Sequence, residues 1–321
     1  MTEQIRDTSP AREEILRVEG LCVRMLDGRK ETQILHDISF TIREGEHWAI
    51  AGESGAGKSM TMNAITALLA DGSTRISGRI LYRQPDGSWQ DLLEIPYKKR
   101  SAFVAKQAAV IFQDSINALN PNERVLRQWS ETVRLNEPGI TKEDCLAHLL
   151  ERMEIFGVRG GEETLRKFPH QLSGGMRQRI AIAMALESPA RILIADEPTT
   201  SLDAITQRST VDFIGKLCDD TDRTLLYISH NLGILQYLCD HMMILKDGRV
   251  VEQGLTEDLF FRGKEEYTRQ LVRETVKIMG NEDNVPELFA HKFAAETQTA
   301  EPGERPADRD GEEAQACTDR T

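Results

Sequence analysis

Several things are scarce in this 321-residue sequence. No apolar run approaches the roughly 18 residues that a membrane-spanning helix needs. Work at a membrane would therefore require a partner to hold the chain there. Cysteine is sparse and odd in number: Cys22, Cys145, Cys218, Cys239 and Cys317, with no CxxC pair. That argues against a disulfide framework or a zinc site and fits a reducing compartment. Basic side chains are in the minority, 40 against 52 acidic ones, for a net charge of −12. The clustered positive charge of a general nucleic-acid binder is missing. The opening "MTEQIRDTSPAREE" lacks the apolar stretch of a signal peptide. Residues 1–12 are expected to form a flexible arm. Residues 296–321 are acidic and short of bulky apolar groups, and are expected to be disordered. No internal repeat is visible.

What is present is a regular alternation. "ILRVEGLCVRM", "ILHDISFTI" and "HWAIAG" read as strands, punctuated by Asp27-Gly28 and Glu44-Gly45. "KSMTMNAITALLA" has helical spacing through Met62, Ile65 and Leu69. "GRILYRQPDGSWQDLLEI" reads as two strands about a Pro-Asp-Gly turn, and "AAVIFQD" as a short buried strand. Residues 123–157 are helical in periodicity. Beyond them "GMRQRIAIAMALES" (helix), "RILIAD" (strand), "TQRSTVDFIGKLCDD" (helix), "TLLYISH" (strand), "LGILQYLCD" (helix) and the pair "HMMILKDGRVVEQG" follow. The pattern predicts an α/β fold with a mostly parallel sheet core, an antiparallel β subdomain from the early meander, and a helical insertion at about 114–172.

One loop carries explicit chemistry. "GESGAGKS" places Gly52, Gly57, Lys58 and Ser59 in the pattern G-x-x-x-x-G-K-[ST], between a predicted strand and a predicted helix. The pattern fits the P-loop that binds nucleoside triphosphates and by itself says nothing of the purpose. Glycines let successive N–H groups from Gly52, Glu53, Ser54, Gly55, Ala56 and Gly57 through Lys58, Ser59 and Met60 converge on phosphate oxygens. Lys58 would reach the β- and γ-phosphates, Ser59 would ligate Mg²⁺, and the helix N-terminus would face the anion. Downstream, the apolar strand "RILIAD" ends in Asp196 and Glu197. The first is a candidate Mg²⁺ holder. The second, expected on the opposite face of the strand, is left to polarise an attacking water. A second segment, "LSGGMRQR", opens another helix at Ser173, Gly174 and Gly175, about 115 residues beyond the first loop. It is either a second phosphate receiver or a plain helix start capped by Ser173. Nothing local says whether both loops would serve the same nucleotide.

"LSGGMRQR" followed by "ILIADEPTTSLD" resembles the ATP-binding subunit of ABC transporters. The resemblance covers about residues 15–275 and includes the loop at 52–59, Gln113 ending "VIFQ", the segment at 172–176, "DEP" at 196–198, "SLD" at 201–203 and His230 in "YISHN". It implies an ATPase domain over 13–265 followed by a helical extension at 266–295. It also implies a head-to-tail pair of ATPases sandwiching two ATP molecules. Each ATP would meet Lys58 and Ser59 of one subunit and Ser173, Gly174 and Gly175 of the other. Gln113 then resembles the residue that binds Mg²⁺ and senses the membrane partner, Glu197 the general base, and His230 the γ-phosphate contact. Asp203 resembles the residue that communicates between the two sites.

"FQDSINALNP" at 112–121, Met176 and "EEYTRQLV" at 265–272 are similar to the oligopeptide, dipeptide and nickel importers. This implies a second ATPase, two transmembrane permease subunits and a substrate-binding protein as partners, at the cytoplasmic face of the cell membrane, with no nucleic acid. Peptide is the implied cargo and a nickel or metal chelate the alternative. Soluble ABC ATPases acting on ribosomes or DNA fit less well: they carry tandem domains, basic linkers or long coiled coils, absent here. The chain departs from the family in two places. Its C-terminal part has only Cys317 where many peptide-importer ATPases have a cysteine-rich segment. Met25 stands where many ABC subunits stack an aromatic on adenine, which predicts weak discrimination between ATP and GTP.

Overall fold

A computed structural model describes residues 12–28, 30–70, 72–113, 119–199 and 204–279. Two sheets organise them. The first is antiparallel and four-stranded: β1 (Glu14–Asp27), β2 (Lys30–Arg43), β4 (Thr74–Arg83) and β5 (Trp89–Asp91), in the order β2-β1-β4-β5. Alternation builds it. Leu16, Val18, Leu21 and Val23 of β1 are buried, as are Ile38, Phe40 and Ile42 of β2, while intervening polar side chains face out. Register shifts between Glu19 and Cys22 mark a bulge where β1 meets β4.

The second sheet is six-stranded: β3 (His47–Ala51), β6 (Ala108–Ile111), β7 (Ile192–Asp196), β8 (Thr224–Ile228), β9 (His241–Lys246) and β10 (Arg249–Leu255), in the order β10-β9-β3-β8-β7-β6. All neighbours run parallel except the β9–β10 hairpin. Every residue of β3, β7 and β8 is buried, as expected for parallel strands covered on both faces. The covering helices include α1 (Lys58–Ile65), packed on β7 and β2. α6 (Gly174–Leu186) lies on β6 and α8 (Leu232–Leu238) on β3. Met62, Ala64 and Ile65 of α1 share one apolar cluster with Ile38 and Ile42 of the antiparallel sheet and Ile194, Leu226 and Met243 of the parallel one. The phosphate-loop helix is thus clamped between the two sheets.

Between residues 119 and 172 the described chain is helical: α3 (Val125–Asn136), α4 (Lys142–Ile155) and α5 (Gly161–Leu165). α7 (Ala204–Asp220) follows β7, and α9 (Thr256–Arg262) and α10 (Glu266–Met279) close the described chain. α2 (Tyr97–Val104) has no counterpart in the sequence reading, because only Val104 of its eight residues is buried and the apolar periodicity is faint. α1 stops at Ile65, short of the "TALLA" expected to continue it. Ala67 turns left-handed (φ 58°) and the Tyr82 hydroxyl donates to the Ile65 carbonyl at 2.7 Å, a cross-chain cap on the last turn.

Candidate nucleotide site

Because β3, β6, β7 and β8 are parallel neighbours, their carboxyl ends lie on one edge of the sheet. That edge is where open α/β sheets receive ligands. β3 delivers the Gly52–Ser59 loop there, β6 delivers Gln113, β7 delivers Asp196 and Glu197, and β8 leads into Ser229 and His230.

The loop's shape depends on two glycines. Gly52 sits at φ 145°, where a Cβ would run into the Leu245 carbonyl. Gly57, at φ 105°, precedes α1, and its Cβ would come within 2.7 Å of Leu35 Cδ2. The back of the loop is fixed by the β9–β10 turn: Gly248 N–H donates to Ala56 O at 3.0 Å, and its own carbonyl accepts His36 N–H at 2.8 Å. Lys58 is 6% exposed. Its ammonium arches back over the loop and donates to Gly52 O at 2.8 Å and Glu53 O at 3.0 Å. Burial holds its pKa down, opposed by the charges of Glu197 and Asp196.

Asp196 is 5% exposed, and Oδ1 has no hydrogen-bond partner among the described residues. Burial pushes its pKa up, while a bond from Ser59 and the charge of Lys58 pull the other way. Glu197 corrects the sequence reading. Opposite-face alternation does not place it, because it lies just past β7 with φ 43°, left-handed for a non-glycine residue. The bond from Glu197 N–H to Ile228 O, 2.9 Å, fixes that turn. Its carboxylate thereby stays with the others: Oε1 is 3.0 Å from His230 Nδ1 and 3.8 Å from Lys58 Nζ, and Oε2 accepts from Gln113 Nε2 at 3.5 Å. Lys58, Ser59, Asp196, Glu197, Gln113 and His230 thus converge from four strand ends.

Ser173, Gly174 and Gly175 open α6 elsewhere. Ser173 Oγ accepts Met176 N–H at 3.3 Å, the helix cap expected of it. α6 is nevertheless tied to the carboxylate turn, because buried Gln178 Nε2 donates to the carbonyl of Pro198, next to Glu197. Sequence reasoning assigned no role to Gln178 or to the Gly248 turn, and an Asp-Gly dipeptide is too common a turn signal to announce one. Met25 is 37% exposed on β1. Asp203, residues 114–118 of "FQDSINALNP", Cys317, residues 1–11 and the acidic tail lie outside the described residues.

The donor set fits Mg²⁺. Ser59 and Gln113 offer neutral oxygens, Asp196 a carboxylate, and the buried Oδ1 lacks the partner that a hard cation or its bound water would supply. Among the described residues no helix is long and apolar enough to cross a membrane.

Comparison with known proteins agrees with the geometry. A family model described as "ABC transporter" matches residues 35–200. The chain is 36% identical over 259 residues to the peptidoglycan transport ATP-binding protein YejF of Agrobacterium fabrum, covering 80% of this chain and 46% of that protein, so it spans about half of that relative. It is 35% identical over 261 residues to the dipeptide transport ATP-binding protein DppD of Bacillus subtilis, covering 81% of this chain and 76% of that one. Among solved structures, a dimeric post-hydrolysis ATP-binding cassette, MJ0796 bound to ADP and Pi, is similar in fold. It has TM-score 0.64 and 23% identity, and covers 75% of this chain and 99% of that one. With the phosphate loop, the paired carboxylates and the parallel sheet edge all in place, this chain belongs to the ABC transporter family, as an ATP-binding cassette.

Proposed function

We propose that the chain is the ATP-hydrolysing subunit of a peptide importer. The observation that carries the hydrolytic part is the Glu197 carboxylate, held by His230 and Gln113 and 3.8 Å from Lys58, beside the Asp196 Oδ1 that has no partner among the described residues. The loop N–H groups between Gly52 and Met60, apart from that of Glu53, receive the phosphates. An ammonium has three donors. Two of those on Lys58 go to Gly52 O and Glu53 O, which leaves one for a β- or γ-phosphate oxygen. Ser59, Asp196 and Gln113 would hold Mg²⁺, which when bound offsets phosphate charge. Glu197 orients a water against the γ-phosphorus and accepts its proton as the bond to the β-phosphate oxygen breaks. His230 steadies that carboxylate through Nδ1 and turns its other ring edge to the γ-phosphate.

Ser173, Gly174 and Gly175 serve the nucleotide of a second ATPase in a head-to-tail pair, and Asp203 communicates between the two sites. The helices between 114 and 172 carry closure to two permease subunits fed by a substrate-binding protein, with the ATPase peripheral on the cytoplasmic face. Peptide is favoured over a nickel or metal chelate because DppD, 35% identical, is a dipeptide transport protein by name and OppD of Salmonella typhimurium, 32% identical over 284 residues, an oligopeptide one. The test is Glu197→Gln in the chain reconstituted with its permeases and partner ATPase. Phosphate release should fall about 10²- to 10⁴-fold with ATP still bound. Turnover near that of the parent removes Glu197 from the role, and transport stimulated by a metal chelate but not by peptides reassigns the cargo.

A further inference from the structure

The family match ends at residue 200, yet a residue far beyond it touches the phosphate loop. Tyr267, on the first turn of α10, accepts the Glu53 N–H on its hydroxyl at 3.5 Å, across 214 residues of sequence. Glu53 is the second residue of the loop, and its carbonyl is one of the two that hold Lys58 Nζ. A single residue of the loop is therefore gripped on one side by α10 and on the other by the lysine that would meet the phosphates. The ring of Tyr267 is itself fixed, with Lys246 Nζ lying 4.4 Å from its centroid. Lys246 ends β9, and two residues later Gly248 makes the bond to Ala56 that closes the back of the same loop.

α10 is anchored at its start by hydrogen bonds and buried side chains. Glu252 of β10 accepts the N–H groups of Lys264 and Glu265 at 2.9 and 3.2 Å, just before the helix. Arg269 donates to the carbonyls of Gly263 and Lys264, and Thr268 and Leu271 are buried. The phenol, with an apolar body and a polar tip, suits a site that is half covered.

We propose that Tyr267 is a positioning residue of the phosphate loop, and that α10 is thereby coupled to nucleotide affinity. The inference rests on the reading of the Gly52–Ser59 loop as the phosphate site. Its consequence is reciprocal: whatever shifts α10 alters nucleotide affinity, and nucleotide binding alters how tightly α10 is held.

The experiment uses the full chain, with a fluorescent ATP analogue and Mg²⁺ as the probe and amide exchange by mass spectrometry as a second readout. Tyr267→Phe keeps the ring and removes the acceptor. The analogue should bind about three- to tenfold more weakly, the range of one neutral hydrogen bond, at unchanged Tm. The peptide containing Glu53 should exchange faster. Lys246→Met, which frees the ring, should move both readouts in the same direction by less. Leu271→Ala, which loosens α10 without touching the hydroxyl, should lower Tm, and any loss of affinity should be accompanied by faster exchange at Glu53. Unchanged affinity and unchanged Glu53 exchange in Tyr267→Phe overturn the proposal and reduce α10 to packing. Lys58→Ala separates the two layers: if it binds the analogue as well as the parent, the phosphate-site reading fails, while Glu53 exchange in Tyr267→Phe still decides the contact.

Discussion

Gly52–Ser59 and Leu172–Gly175 are both glycine-rich and both open helices, but they need their glycines for different reasons. In the first loop Gly52 and Gly57 have φ of 145° and 105°, with Leu245 and Leu35 packed where side chains would go. The chain's own fold demands them. In the second, neither Gly174 nor Gly175 has positive φ, and both lie in the first turn of α6. Glycine there costs a helix roughly 0.5–1 kcal/mol relative to alanine. Nothing in this backbone asks for it. The first loop also has its lysine, hydroxyl and carboxylates gathered around it, whereas Ser173 only caps its own helix. A loop complete within one chain beside a loop whose composition its own chain does not require is what a site shared between two subunits predicts.

Lys58→Ala breaks the comparison most severely. It removes the buried cation from the complete loop, and nucleotide affinity should fall about 10²-fold, as for loss of a charged, desolvated donor. Titration of the isolated chain with a fluorescent nucleotide measures it. The glycines then sharpen the contrast by sign. Gly57→Ala should destabilise the chain by about 1–3 kcal/mol, because alanine is strained at that φ. Gly174→Ala should leave stability equal or raise it by up to about 1 kcal/mol, yet lower hydrolysis in the assembled pair about tenfold. Denaturant melts beside phosphate-release assays separate the two. A Gly174→Ala variant that hydrolyses normally would return Leu172–Gly175 to a plain helix start.

The smallest effect is electrostatic. Burial raises the Asp196 pKa in the fold, so its ionisation opposes folding at neutral pH. Asp196→Asn should raise Tm by a few degrees or less at pH 7. The gain should fade as the pH falls through the folded-state value of Asp196 towards the ordinary aspartate value of about 3.9, where the parent also becomes neutral. Melting curves over that range check it. Tm falling at pH 7 would mean that the carboxylate's attraction to Lys58 outweighs its desolvation.

The sequence made the loop legible because its conformation is local: glycine at defined spacing, then a lysine and a hydroxyl, between an apolar strand and a helix. The strands β3, β7 and β8 were equally plain, each an unbroken run of four apolar residues with a single polar one at one end. Glu197 was identified as a residue but misplaced in space. Strand alternation was applied one residue too far, past the point where the bond to Ile228 O turns the chain left-handed. α1 was drawn too long because its stop depends on Tyr82, 17 residues away, donating to Ile65 O.

By itself, then, the sequence determined most of the elements, the phosphate chemistry and the candidate residues, since short-range sterics and side-chain type fix those. The tertiary structure alone decided which of them meet. Gln113 and Glu197 are 84 residues apart, His230 and Glu197 33, and Tyr267 and Glu53 214. Their contacts exist because parallel strands bring their carboxyl ends to one edge and a distant helix packs behind it. Strand order is set by burial of the whole sheet, which no local stretch of sequence encodes.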